Sequence, residues 1–428
     1  MKLTKLYIHN YKSFYDTTIE LDKLNIVVGE NNSGKSNLID VLEFIDIAMS
    51  KDIERAISDK GGYDKIKNYS AVGEEKVVVR ATFEKKDSST KVILLGKIPY
   101  QGILQGEGEF TYSFSFSKKY TIFSVNVSML FVGTTDSQLI KECFDKKHDN
   151  ITSKNMDIEQ VNFTISNKNN FDNQKKIRKL FIPVSSNQDF IKKHLHAILS
   201  NIGLLSDTEL NIEKYNMFSS KYISTYYFDS NNIRLKSHQN DEVTLKKDGS
   251  NLGKNIYSYL RGSSEFDIVS NSLITTVNEI DSIEVYEVAG SYIIAFKEKD
   301  KEISIDTVSD GTINFLATMV ALNQPIDDSF MLVFEEPERH LHLNAVTYML
   351  EAFRDSQKQI LITTHSTEII KYADLKEIIF IYRDSDGDTQ SVRADAIPNL
   401  ERKMKRLAYE RDVTLDELIG EGMIGTFK

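Results

Sequence analysis

Apolar and polar positions along the chain fall into two textures. In "LTKLYIHNYKSF", "TTIEL" and "LNIVVG", β-branched and aromatic residues alternate or cluster between turn-like breaks, which predicts three strands. Over 37–50 the spacing turns helical, with Leu38, Val41, Leu42, Ile45 and Met49 on one face. Residues 76–131 read as antiparallel strands, because "KVVVRATFE", "KVILLG", "EFTYSFSFS" and "YTIFSVNVSMLFV" are rich in Val, Tyr, Phe and Thr and broken by Lys, Ser and Gly turns. From about 134 to 225, Asn/Lys-rich stretches surround helical candidates such as "DFIKKHLHAILSNIGLL", and an inserted, partly helical subdomain is expected there. Order resumes with "YYFDSNNIRL", helices around "NLGKNIYSYLRG" and 267–278, and strands in "SIEVYEVAGSYIIAFKEK". The last third alternates: "DGTINFLATMVALNQ" helical, "FMLVF" a buried strand, "AVTYMLEAFRD" helical, "QILITT" and "EIIFIYR" strands. That is the pattern of an α/β domain with a largely parallel sheet. No repeat at a period of 20–50 residues and no long heptad run interrupts it.

Composition narrows the picture. The 428 residues suffice for two or three compact units, and 40% hydrophobic with 27% charged is an ordinary globular balance. A net charge of -10 and a pI near 5.5 make whole-surface attraction to nucleic acid an unlikely default and favour protein partners. DNA contact would need a local basic patch, and the candidates, "KKIRK" at 175–179 and "RKMKR" at 402–406, are short runs of the kind that usually form solvated surface. Cys143 is the sole cysteine, which excludes an intrachain disulfide and a cysteine-based zinc site and fits a reducing cytoplasm. "MKLTKLYIHNYK" lacks the apolar core of a signal peptide, and no apolar run approaches the roughly 18 residues of a membrane span. A soluble, cytoplasmic protein without a membrane partner is expected.

Candidate chemistry begins at "GENNSGKSNLID", 29–40. Gly29, Gly34, Lys35 and Ser36 complete G-x-x-x-x-G-K-S between the strand "LNIVV" and an amphipathic helix, where a phosphate-binding loop has to sit. Its glycines let the backbone curl so that N–H groups, those of Asn31, Asn32 and Ser33 among them, face phosphate oxygens. The helix N-terminus with Asn37 adds positive potential, Lys35 reaches the β and γ phosphates, and Ser36 ligates Mg²⁺. "FMLVFEEPE" then supplies carboxylates at the end of a buried strand, where ligands of open α/β sheets collect. Glu335 would hold the metal directly or through water, and Glu336 would orient or deprotonate an attacking water. "QILITTHSTEII" places His365 at the end of a strand one helical crossover later, predicted to neighbour the acidic strand. In "VSDGTINFLATM", Ser309 is a good N-cap, Ile313, Leu316, Ala317 and Val320 form a buried stripe, and Ser309 with Gly311 makes a second anion-binding helix terminus. Two further patterns read as ordinary structure. "YRDSDGDTQ", with Asp384, Asp386 and Asp388, is a hairpin turn rather than a metal site, and His340 and His342 lack a usual zinc spacing.

These elements, in this order, resemble the ATP-binding cassette (ABC) ATPases, specifically the soluble branch of SMC, RecF and overcoming-lysogenization-defect (OLD) proteins. The opening "LYIHNYKSF", the insertion between the phosphate loop and the acidic strand, and "EEPERHLH" carry the similarity, which covers 1 to about 131 and 226–428. It implies an ABC ATPase head, a P-loop NTPase with a mostly parallel core sheet, an antiparallel β lobe and an inserted subdomain. The layout would be an N-terminal lobe (1–133) with the P-loop, the insertion (134–225) and a C-terminal lobe (226–428). Gly29 to Ser36 would be Walker A, Glu335 and Glu336 Walker B, Ser309, Asp310 and Gly311 the signature, and His365 the switch histidine. ATP with Mg²⁺ would be sandwiched between two heads, in a homodimer or higher homo-oligomer. The chain departs from the family in reading "SDGT" at the signature, in having no glutamine between Asn37 and Gln101 for a Q-loop, and in carrying Glu335 where many members have Asp. OLD nucleases continue into a Toprim domain, for which this chain is too short. It is thus similar to the stand-alone ATPase subunits of bacterial anti-phage systems such as PARIS and Septu, whose partner is a separate nuclease or toxin. A RecF-like or SMC-like ATPase that binds DNA in repair is the alternative.

Overall fold

The computed structural model describes residues 1–71, 75–94, 101–134, 156–170, 175–181, 221–277, 279–299, 301–324, 329–398 and 400. Two compact units emerge, Met1–Glu20 with Phe44–Ser220, and Leu21–Glu43 with Lys221–Lys428.

The first unit is built on an antiparallel sheet. With strands numbered along the chain, it contains β1 (Lys2–Tyr11), β2 (Phe14–Glu20), β4 (Val77–Leu94), β5 (Gln101–Phe116), β6 (Tyr120–Thr134), β7 (Met156–Asn170) and β8 (Lys175–Phe181). Their order is β2-β1-β4-β5-β6-β7-β8. Leu6 and Ile8 face inward at alternate positions of β1, and a register shift between Leu3 and Lys5 lets Leu3 face inward as well. Phe44 packs into this core, stacked on Phe116 at 5.5 Å between ring centroids and edge-on to Phe114 at 6.0 Å. Burying such a ring stabilises the fold by about 1.5–3 kcal/mol.

Two spans depart from the expected partly helical insertion: 156–170 and 175–181 are strands that extend the same sheet. Their alternation, with Val161, Phe163 and Ile165 at every second position, is masked by an Asn/Lys-rich composition. The helical candidate at 189–205 lies outside the described residues.

In the second unit, six strands run in the order β17-β16-β3-β15-β14-β9. They are β3 (Leu24–Val28), β9 (Ile223–Tyr226), β14 (Met331–Glu335), β15 (Gln359–Thr364), β16 (Ile378–Arg383) and β17 (Thr389–Arg393). All neighbours are parallel except the β16–β17 hairpin. β3 and β15 are buried along their whole length, as central strands covered on both faces must be, which is why they read as unbroken apolar runs. A small antiparallel sheet holds β10 (Ser237–His238), β11 (Ser282–Val288), β12 (Ser291–Glu298) and β13 (Lys301–Ser304).

The P-loop therefore groups with the C-terminal half of the chain rather than with 1–133, because β3 inserts between β15 and β16. α1 (Lys35–Ser50) begins in this unit and passes into the first after Glu43. Helix Asp310–Asn323 is more enclosed than the predicted stripe: Gly311 through Ala321 are all buried.

Candidate functional site

Register brings the three candidate segments to one sheet edge. Val28, the last residue of β3, pairs with Thr364, and Glu335 pairs with Thr363. The P-loop, Glu336 and His365 consequently leave adjacent parallel strands at their carboxyl ends, and β15 lies between the other two as the crossover predicted.

The P-loop's conformation follows from where its carbonyls go. The Lys35 amine donates to the Gly29 carbonyl at 2.6 Å and the Glu30 carbonyl at 2.8 Å. Arg383 Nε donates to the Asn32 carbonyl at 2.9 Å, and the Thr389 hydroxyl to the Ser33 carbonyl at 2.8 Å. A trans peptide directs each N–H opposite to the preceding C=O, so the amides of Glu30, Asn31 and Gly34 point away from these donors. The Ser33 amide is instead engaged within the loop, donating to the Glu30 carbonyl at 3.2 Å, which differs from the expected free amide there. Asn32 at φ 66° and Gly34 at φ 117° make the curl. Gly29 is demanded by space, since a Cβ there would lie 2.2 Å from the Ile381 carbonyl oxygen. Asn37, half-buried, sits in the first turn of α1.

On the acidic side, the Ser36 hydroxyl donates to Glu335 Oε1 at 3.2 Å. Hydroxyl and carboxylate in contact are the donor set a Mg²⁺ ion takes, and the buried Ser33 Oγ is a further polar atom in the loop without a hydrogen-bond partner among the described residues. These residues fit ATP with Mg²⁺. Glu336 adopts φ 46°, a left-handed conformation costly for a non-glycine residue, and its N–H is held by the Thr363 carbonyl at 2.9 Å. Glu336 Oε1 lies 3.6 Å from His365 Nε2. Burial, and then the Lys35 charge, pull the His365 pKa below its ordinary value against the pull of Glu336. Burial likewise lowers the Lys35 pKa, opposed by Glu336, Glu335 and Glu30.

Ser309 caps its helix as expected, accepting from the Thr312 N–H at 3.1 Å. Within the chain, Gly311 has a packing reason of its own, since a Cβ would meet the His340 carbonyl oxygen at 2.1 Å. Arg234 secures this terminus. Its guanidinium bonds Asp310 at 2.7 Å and the carbonyls of Ile305 and Val308, and holds the Asp310 carboxyl below the usual range. A cleft of roughly 510 Å³ is lined by Asp310, Asn314, Glu335, Glu336, Arg339 and His340, among others.

The aspartate-rich segment 382–390 is a hairpin turn: Asp384 Oδ1 accepts from the N–H groups of Asp386 and Asp388, and Arg383 pairs with Thr389. No cluster of His, Cys, Asp or Glu fit for a metal occurs among the described residues. "KKIRK" falls on edge strand β8, and "RKMKR" lies outside the described residues. Arg234, Arg383, Thr389 and Glu338 support the site without having been read from the sequence as part of it. Only Glu338, inside "EEPERHLH", sits in a segment already under suspicion.

A family model described as AAA ATPase domain matches residues 1–370. The chain belongs to the AAA ATPase domain family. An ATP/GTP phosphatase of Helicobacter pylori is similar at 22% identity over 379 residues, 86% of each chain. A DNA replication and repair protein RecF of Flavobacterium johnsoniae is 28% identical over 146 residues, 33% of this chain and 35% of that one, so the match spans about a third of RecF. An SMC head, solved bound to the C-winged helix domain of ScpA, superposes with a TM-score of 0.46 at 13% identity, over 92% of this chain and 98% of that one. The protein is an AAA-family ATPase whose P-loop sits on a largely parallel α/β sheet. No helix among the described residues is long and apolar enough to cross a membrane.

Proposed function

We propose that this ATPase closes as a homodimer, or a higher homo-oligomer, around ATP and thereby controls a separate effector, a nuclease or toxin, in bacterial anti-phage defence in the cytoplasm. The observation that carries the catalytic half is the convergence of Lys35, Ser36, Glu335, Glu336 and His365 at the ends of β3, β14 and β15. Lys35 and the outward amides of the P-loop hold the β and γ phosphates, with Gly29, Asn31, Asn32, Ser33, Gly34 and Asn37 shaping the cradle. Ser36 and Glu335 would hold Mg²⁺, which when bound would offset the charge that develops on the phosphate oxygens. Glu336, beside the His365 imidazole, orients the attacking water and takes its proton, while His365 contacts the γ phosphate. Ser309 and Gly311 of a second copy close over that phosphate, so their γ-phosphate contacts exist only in the closed pair and hydrolysis loosens it. The acidic charge, and a sequence without a long heptad run, support an effector switch.

The test is direct. Lys35→Ala loses ATP affinity by more than about 10-fold; unchanged affinity removes the site assignment. With ATP and Mg²⁺, Glu336→Gln runs as a dimer by light scattering, and a monomer under those conditions removes the sandwich. A second reading, a DNA-binding ATPase of repair, is favoured by the RecF similarity alone. Salt-sensitive DNA binding that stimulates ATP turnover would put it first.

A further inference from the structure

Glu338 follows Glu336 by two positions, and the chemistry above makes no use of it. Its carboxyl is inside the protein. Oε1 accepts a hydrogen bond from the Thr364 hydroxyl, and Oε2 is buried without a hydrogen-bond partner among the described residues. The Thr364 hydroxyl in turn accepts from the Ser366 N–H at 2.8 Å. The Thr364 hydroxyl thus ties Glu338 of the acidic loop to the turn that carries His365, by bonding Glu338 on one side and the Ser366 N–H on the other. A second tie joins the same segments, from the Glu336 N–H to the Thr363 carbonyl at 2.9 Å. Between the ties lie the 3.6 Å approach of His365 Nε2 to Glu336 Oε1 and the left-handed backbone of Glu336, neither of which a free loop would keep. Burying a carboxyl with one oxygen unpartnered is costly, and a loop that needed only to turn would be better served by an apolar or exposed residue.

We infer that Glu338 is a positioning residue for hydrolysis: through Thr364 it holds the His365 turn at its working distance from Glu336, without touching nucleotide. This rests on the roles given above to Glu336 and His365. The mechanism is orientation, where a displacement of about 1 Å is enough to lower turnover strongly while leaving ground-state binding intact.

The experiment measures steady-state ATP turnover and the affinity for a fluorescent ATP analogue on the full chain. Glu338→Ala lowers kcat by roughly 10- to 100-fold while KM and analogue affinity stay within about 2-fold. Thr364→Val, which removes the donor from the other side, reproduces that split. Glu338→Gln recovers most of the loss, because its amide oxygen still accepts from Thr364. Wild-type kcat in Glu338→Ala overturns the inference, as does a parallel loss of affinity and turnover in both Glu338→Ala and Thr364→Val. Glu336→Gln separates the two levels. If it turns over ATP normally, the site reading itself fails; if it is inactive while Glu338→Ala is fully active, only the positioning role fails.

Discussion

Single residues carry the chemistry here, and their environments set the protonation states it needs. Burial raises the Glu338 pKa from 4.5 to about 7, outweighing the Thr364 bond that pulls it down. A carboxyl whose pKa is higher folded than unfolded binds more protons in the folded state. Its stabilising contribution is therefore complete below about pH 4.5 and is lost as pH rises through about 7. The loss amounts to at most about 3 kcal/mol. Glu338→Gln, which stays neutral, should melt close to wild type at pH 5 and above it at pH 8; a difference independent of pH across thermal melts at those values would contradict the shift. The positions of Lys35, Ser36, Glu335, Glu336 and His365 at strand ends or a helix start were legible from the sequence because each is announced by its own neighbours. Glu338 was not, since whether a glutamate is buried depends on what covers it.

At the scale of elements, the β16–β17 hairpin shows how a correct local reading can stop short. Its D-G turn signal was sufficient to identify the turn, and the flanking residues then do something no local pattern announces. Arg383 braces the turn through the Gly387 carbonyl at 2.6 Å and holds the Asn32 carbonyl, while Thr389 holds that of Ser33. Because the Ser33 carbonyl must face the hairpin for the opposite Gly34 amide to face phosphate, and Arg383 fixes the Asn32 carbonyl beside it, the hairpin braces the proposed cradle. Arg383→Ala should weaken ATP affinity by about 10-fold, in line with the loss of one charge-assisted hydrogen bond, with kcat at saturating ATP little changed. A titration showing wild-type affinity would separate the hairpin from nucleotide binding. Arg234 works alike on the helix start at Ser309, bonding Ile305, Val308 and Asp310 from 71 to 76 residues away.

For the whole molecule, the proposed sandwich would make each site the property of two chains. Mixing Lys35→Ala with Ser309→Arg, each inactive alone, should restore up to about a quarter of wild-type turnover, since a mixed pair contains one intact composite site and half of random pairs are mixed. Turnover that stays at zero in the mixture would argue against contribution in trans. The sequence by itself determined the strand and helix types of the α/β unit, the P-loop, the acidic strand end and the capped helix, because periodicity of 2 or 3.6 and cap or turn chemistry act over a few residues. It did not determine that 156–170 and 175–181 are strands, nor that the P-loop groups with the C-terminal half. Nor did it reveal that Arg383, Thr389, Arg234 and Glu338 hold the site in place. Those facts depend on which strands pair and which carbonyls need donors. Pairing across more than 300 residues, as between Val28 and Thr364, is settled only when the chain closes on itself.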